Sequence, residues 1–157
     1  MTAPNWQTLA TVAVQARPVG LWNLAVDYVP GSRLLRFTVL ALDQQNKKFS
    51  TIWNPVKGTD CGADGIVTNP LKTGLLCTGA QYGALIGKLG GSSADLPDSS
   101  SPAGPYPNKK VFGVGSYCVI SLSNLEGGPL FLTMNDSPDG FEGHQGDLHA
   151  LIEYYST

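Results

Sequence analysis

Apolar side chains in this chain recur at every second position, in short runs that glycine or proline cuts off. Arg33 to Leu42 is the clearest run, with Leu35, Phe37, Val39 and Ala41 alternating against a mixed face. A two-residue period puts those side chains on one face of an extended strand, half buried against a core. Thr8 to Ala16, Leu21 to Val26, Tyr82 to Leu89, Val111 to Ser116, Tyr117 to Leu122, Leu130 to Met134 and Leu148 to Tyr155 read the same way. No segment keeps a helical apolar period behind a capping residue, so no helix is predicted. Charged residues make up only 14% of the chain, which carries 19 glycines and 11 prolines, as a turn-rich β protein does. The expected fold class is all-β. Half-buried sheets must cover each other, which predicts an antiparallel β-sandwich, jelly-roll-like, built from two small sheets.

With 157 residues the chain reads as one domain, 1–157, long enough to bury a core without staples. Residues 92–110, rich in Ser, Pro, Gly and Asp, read as a surface insertion. Asp43 to Gly79 is polar and punctuated by Asn54-Pro55, Lys57-Gly58, Asp64-Gly65 and Asn69-Pro70. A structureless loop of that length is unusual, so it is expected to carry short strands or a functional surface. The small residues around Gly83 and Gly87 suggest close approach of another backbone.

Net charge is −2, and the densest cations are the pairs Lys47-Lys48 and Lys109-Lys110. Neutralising phosphates takes several aligned cations, so nucleic acid is not an expected partner. No apolar run is long enough to span a bilayer, and membrane insertion is not expected. The start, Met1 to Trp6, has no basic and apolar leader of the Sec type. The expectation is synthesis in the cytoplasm, with any release by a non-classical route. Cys61, Cys77 and Cys118 match no zinc spacing; buried thiols are favoured over a Cys61–Cys77 bridge.

Asn135 to Asp147 is the richest stretch chemically. It gathers four carboxylates, Asn135, His144, Gln145 and three glycines between two apolar runs. Carboxylate and carbonyl oxygens can converge there on a hard cation or a polyol, because glycine lets the backbone turn sharply. The plainer alternative is a polar hairpin loop with no ligand.

Two motifs carry a family likeness. One is Gly83-Ala84-Leu85-Ile86-Gly87-Lys88-Leu89-Gly90-Gly91-Ser92; the other is Gly128-Pro129-Leu130-Phe131-Leu132-Thr133-Met134-Asn135-Asp136, followed by Gly146-Asp147-Leu148. In these the chain resembles the PA-IL-type bacterial galactophilic lectins and related β-sandwich carbohydrate-binding domains. Trp53-Asn54-Pro55 and Gly74-Leu75-Leu76-Cys77 are weaker echoes. The resemblance implies a calcium ion at an apical loop that ligates two hydroxyls of a terminal galactose. It also implies a homo-oligomer, built through sheet edges or the C-terminal strand, because weak single sites gain from avidity.

Carried over residue by residue, the resemblance makes Asp136 the contact to both metal and sugar. Lys47 and Gly140 fall where backbone carbonyls would ligate. Where the family has side-chain oxygens this chain has Gly143 and His144, and neutral imidazole is a poor calcium ligand. Either Asp139 or Glu142 supplies the missing oxygens, or the metal site has decayed. Asn135, His144, Gln145, Trp53 and Asp64 complete the sugar-binding candidates, with Trp53 as a stacking platform that could equally fill the core. In place of the family's sugar-reading histidine and glutamine stand Asn69 to Thr73, with Asp60 and Asp64 upstream.

Catalysis is not expected. Cys61 or Cys77 with His144 or His149 could be assembled on paper, yet no nucleophile elbow accompanies them. His149, alternating with Leu148 and Ala150, reads as a surface or edge-strand histidine. Asp136 with Glu142 on one loop is a poor pair for glycoside hydrolysis. The sequence therefore points to a non-catalytic galactoside-type lectin, with a protein-interaction or assembly module bearing a degenerate metal site as the alternative.

Overall fold

The computed structural model of the chain describes residues 5–90, 94, 95, 97, 109–124 and 126–156. The strands in chain order are β1 (Asn5–Gln15), β2 (Asn23–Val29), β3 (Leu34–Val39), β4 (Trp53–Val56), β5 (Thr59–Cys61), β6 (Leu85–Leu89), β7 (Lys109–Gly113), β8 (Tyr117–Ser121), β9 (Gly128–Met134) and β10 (Asp147–Ser156). They form two four-stranded antiparallel sheets, β1-β10-β3-β8 and β2-β9-β6-β7, with β4-β5 as a small separate hairpin. The fold is an all-β sandwich, as the alternation requires. Most of the 92–110 insertion lies outside the described residues. Among the described residues no helix is long and apolar enough to cross a membrane.

The core follows from the alternation. In β10, Leu148, Ala150 and Ile152 are fully buried, while the residues between them face out. They meet Val14, Leu35 and Phe37 of their own sheet and Leu85, Leu130, Leu132 and Met134 of the other. Each such side chain contributes roughly 1.5–3 kcal/mol of burial. The punctuated 43–79 stretch does carry short strands, β4 and β5.

The second sheet is covered on both faces at β6, every residue of which is buried. Trp22, Cys77, Ile86 and Phe131 form a second apolar cluster, joined by Leu21, Leu76 and Ala80. Lys88 lies in it as well, its ammonium 4.7 Å from the centre of the Phe131 ring and 5.0 Å from that of Trp22. Cys61 and Cys77 are buried free thiols.

Four local expectations need correction. β9 and β10 belong to different sheets, so residues 135–146 are a crossing between the two layers and not a hairpin. β10 has β1 on one side and β3 on the other, so the C-terminal strand has no open edge for assembly. For the same reason His149 is no edge residue; it lies on an interior strand, its ring stacked on Phe49 at 4.1 Å. At Gly87 the close neighbour is the Phe112 ring, not a backbone: a Cβ there would meet it at 2.6 Å.

Gly83 holds the small hairpin to the sandwich. Its carbonyl accepts the indole N–H of Trp53 at 2.8 Å, and its φ is +80°, where only glycine rests without strain. A Cβ would also stand 2.7 Å from Cys61 Sγ. Gly58 has a similar φ of +83° but open space around it. Gly58→Ala is therefore expected to cost about 1–2 kcal/mol from backbone strain alone. Gly83→Ala should cost that plus a further ~1–3 kcal/mol of overpacking. Urea unfolding of both variants checks this, and equal losses would mean that the Cys61 contact relaxes freely.

Candidate functional site

The crossing from β9 to β10 turns its polar groups inward. Asn135 is fully buried: its side-chain oxygen accepts the Cys77 amide at 2.9 Å, and its NH₂ donates to the carbonyls of Cys77, Ala80 and Gln81 at 2.9–3.1 Å. These bonds clip the 77–81 loop onto the end of β9. Asn135 is thus a structural tie, with no surface left for a sugar.

Asp136 follows and is equally enclosed, at 1% exposure. Lys72 Nζ lies 2.9 Å from its Oδ1, the Ser137 amide donates to the same oxygen at 2.7 Å, and His144 Nε2 lies 2.8 Å from its Oδ2. Burial pushes this carboxyl up. The hydrogen bonds from His144, Lys72 and the Ser137 amide, with the Lys72 charge, outweigh burial and hold it below the usual carboxylate range. Lys72 mirrors it: partial burial pulls the ammonium down, but the bond to Asp136 and its charge raise it above its ordinary value.

His144 spans the gap between the sheets. Its Nδ1 is 2.8 Å from the Ala16 carbonyl just past β1, and Phe141 packs against the ring. A carbonyl oxygen and an ionised carboxylate both only accept. Each ring nitrogen therefore has an acceptor within hydrogen-bond reach, and the ring is held from both sides.

Lys72 reaches outward from the same point. Its ammonium lies 4.2 Å from the centre of the Tyr82 ring, and its amide donates to Thr68 Oγ1 at 2.9 Å. Burial and the charge of Asp136 push the Tyr82 hydroxyl up. A cleft of about 270 Å³ opens here, lined by Ile66, Thr68, Lys72, Thr78, Gln81 and Tyr82 among others. The Asp60–Thr73 stretch and the crossing loop therefore meet, and Lys72 on Asp136 is their joint.

The remaining candidates lie elsewhere. Trp53 is fully buried, so it fills the core and offers no stacking face. Gln145 is exposed and pairs through its backbone with Asn54. Asp64 is exposed and takes the amide and hydroxyl of Ser116. Asp139 and Glu142 are exposed as well. The Lys47 carbonyl is already accepting the Asp43 amide at 2.9 Å, in a turn of its own.

These residues do not fit a calcium ion. Calcium needs six to eight oxygens around it. Among the described residues the one enclosed carboxylate, Asp136, is engaged by an ammonium and an imidazole, and no group of three or more His, Cys, Asp or Glu is placed to hold a metal. Gly140 packs directly on that carboxyl, since a Cβ there would come within 2.7 Å of its carbon and both oxygens. Lys72 supplies the positive charge that the carboxylate needs. No protein-family model matches the chain, and no curated protein matches it.

Lys72 lies in the Asn69–Thr73 segment that the resemblance puts at the sugar loop, but neither it nor Thr68, Gln81 or Tyr82 was singled out as a site residue. One signal was present: Lys72 is the only charged residue between Asp64 and Lys88.

The sign of the pH effect follows from Asp136. Its carboxyl lies lower in the folded chain than the ordinary value near ~3.9. The stability it contributes is present above that value and is lost as pH falls through the folded value. Asp136→Asn should therefore lose about 2–3 kcal/mol at neutral pH, the scale of hydrogen bonds to a charged group. That deficit should shrink as pH drops from about 5 to about 2. Urea titrations across pH measure it, and a deficit constant down to the acid end would contradict the assignment.

Proposed function

We propose that this protein is a non-catalytic carbohydrate-binding protein, a galactoside-type lectin that works without a metal ion. The observation that carries this reading is the cleft beside Asp136. One aromatic ring, two threonine hydroxyls, a glutamine amide and an ammonium line a space suited to one sugar ring. Sites that hold polyols combine an apolar wall with a few fixed polar groups. Here Lys72 is fixed by Asp136, and Asp136 by His144. The family likeness of β6 and β9 supports the same reading. The absence of turnover is supported by the state of the candidate nucleophiles and base. Cys61 and Cys77 are buried, and both nitrogens of His144 are engaged.

A glycan array with calorimetric follow-up tests it. The expected result is binding to a subset of galactosides or glycoconjugates, unchanged by EDTA. The double variant Thr78→Val, Gln81→Leu should weaken it about tenfold or more, since each lost hydrogen bond is worth roughly 1 kcal/mol. No binding across the array would overturn the reading.

A second reading, an assembly module on the same fold, is favoured by the open outer side of β8, at the edge of the β1-β10-β3-β8 sheet. Tyr117 is 60% exposed and Val119 44% exposed there. A self-associating protein should sediment as an oligomer that Tyr117→Asp, Val119→Lys reduces to monomer. A monomer at all concentrations would remove this reading, and with it the homo-oligomer through which a lectin gains avidity.

A further inference from the structure

The proposed sugar cleft has one charged wall. Among the described lining residues Lys72 is the only charged side chain, and no carboxylate faces the space. Asp136 lies behind Lys72 and is 1% exposed, whereas the Lys72 side chain is 35% exposed. An ammonium carries three N–H donors, of which Asp136 takes one. Asp136 also shares its single negative charge with His144, whose two ring nitrogens both face acceptors. The exposed end of the Lys72–Asp136 pair is therefore the positive one.

Building on the carbohydrate reading, we infer that the cleft selects an acidic saccharide, one whose carboxylate or sulfate is received by Lys72. The Tyr82 ring limits where the ammonium can sit, and Asp136 holds it in place, so the donor is preset before the ligand arrives. Preset donors avoid the ordering cost that a free lysine carries into binding. Thr78 and Gln81 stand on the same wall, with groups that serve ring hydroxyls. A neutral sugar would leave the free ammonium donors to water, whereas an anion converts them into charge-assisted bonds, roughly twice as strong as neutral ones.

Methyl galactoside and methyl galacturonide differ only at C6, hydroxymethyl against carboxylate, and so isolate the point. Calorimetry on the intact protein should show the galacturonide binding about tenfold tighter, the worth of ~1.4 kcal/mol. That preference should narrow as salt rises, because a half-exposed ion pair is screened. Lys72→Gln should abolish the preference and Lys72→Arg should keep it. The salt series on the unaltered protein decides the matter even if a variant folds poorly. Equal affinity for the two glycosides, insensitive to salt, would overturn the inference and leave the carbohydrate reading standing. Acetate competing as well as the galacturonide would mark a simple anion site and overturn the saccharide claim. Binding of neither glycoside would overturn both.

Discussion

A carboxylate buried between an ammonium and an imidazole organises one end of this sandwich. Withdrawing an ion from water costs several kcal/mol even after the surroundings relax. Asp136 meets that cost with bonds from three different parts of the chain: the 66–82 stretch through Lys72, the crossing loop through Ser137 and His144, and the end of β1 through Ala16 behind His144. The arrangement is directional. Both sheets and the loop between them must be in place before the carboxylate is satisfied. Removing any one partner leaves a buried charge, so the cluster specifies a single geometry more than it adds net stability.

The same arrangement gives His144 and Lys72 a shared role. A histidine in the crossing loop cannot serve calcium well, but it can bridge Asp136 to the Ala16 carbonyl. A lysine in the facing loop would repel a divalent ion and is attracted by the same carboxylate. His144 and Lys72 are thus one solution to one electrostatic problem, and each makes sense in the presence of the other. Asn135 stands apart from this exchange. It spends its side chain on the 77–81 loop and fixes the platform on which Asp136 stands.

The strands were legible because their signal is local. Leu148, Ala150 and Ile152 alternate with outward residues, and no partner needs to be known to read them. Pairing is another matter. Gly140, Gly143 and Gly146 allow a sharp turn, but they look the same whether the chain folds back on its own sheet or crosses to the other. The crossing therefore read as a hairpin. Trp53 left two readings open for a related reason: it sits among polar turn residues in sequence, and the approach of Gly83 from a distant loop places its indole inside. Lys72 was the least legible of all. Its importance comes from meeting Asp136, a contact between loops with no shared periodicity, and nothing near it in sequence announces a carboxylate.

The two layers of the sandwich end up unlike each other. Trp22, Phe131, Ile86 and Cys77, with the ammonium of Lys88 against two of their rings, upholster the far side of β6 and β9. The opposite layer keeps Tyr117 and Val119 in the open. Padding is therefore central, and the most open apolar side chains of the two sheets sit on the rims, Leu24 and Tyr28 on β2 and Tyr117 and Val119 on β8. A macromolecule that reads the strands themselves, whether another copy or a glycoprotein held at the rim, meets an edge strand of either layer, β2 or β8, before it meets the covered middle.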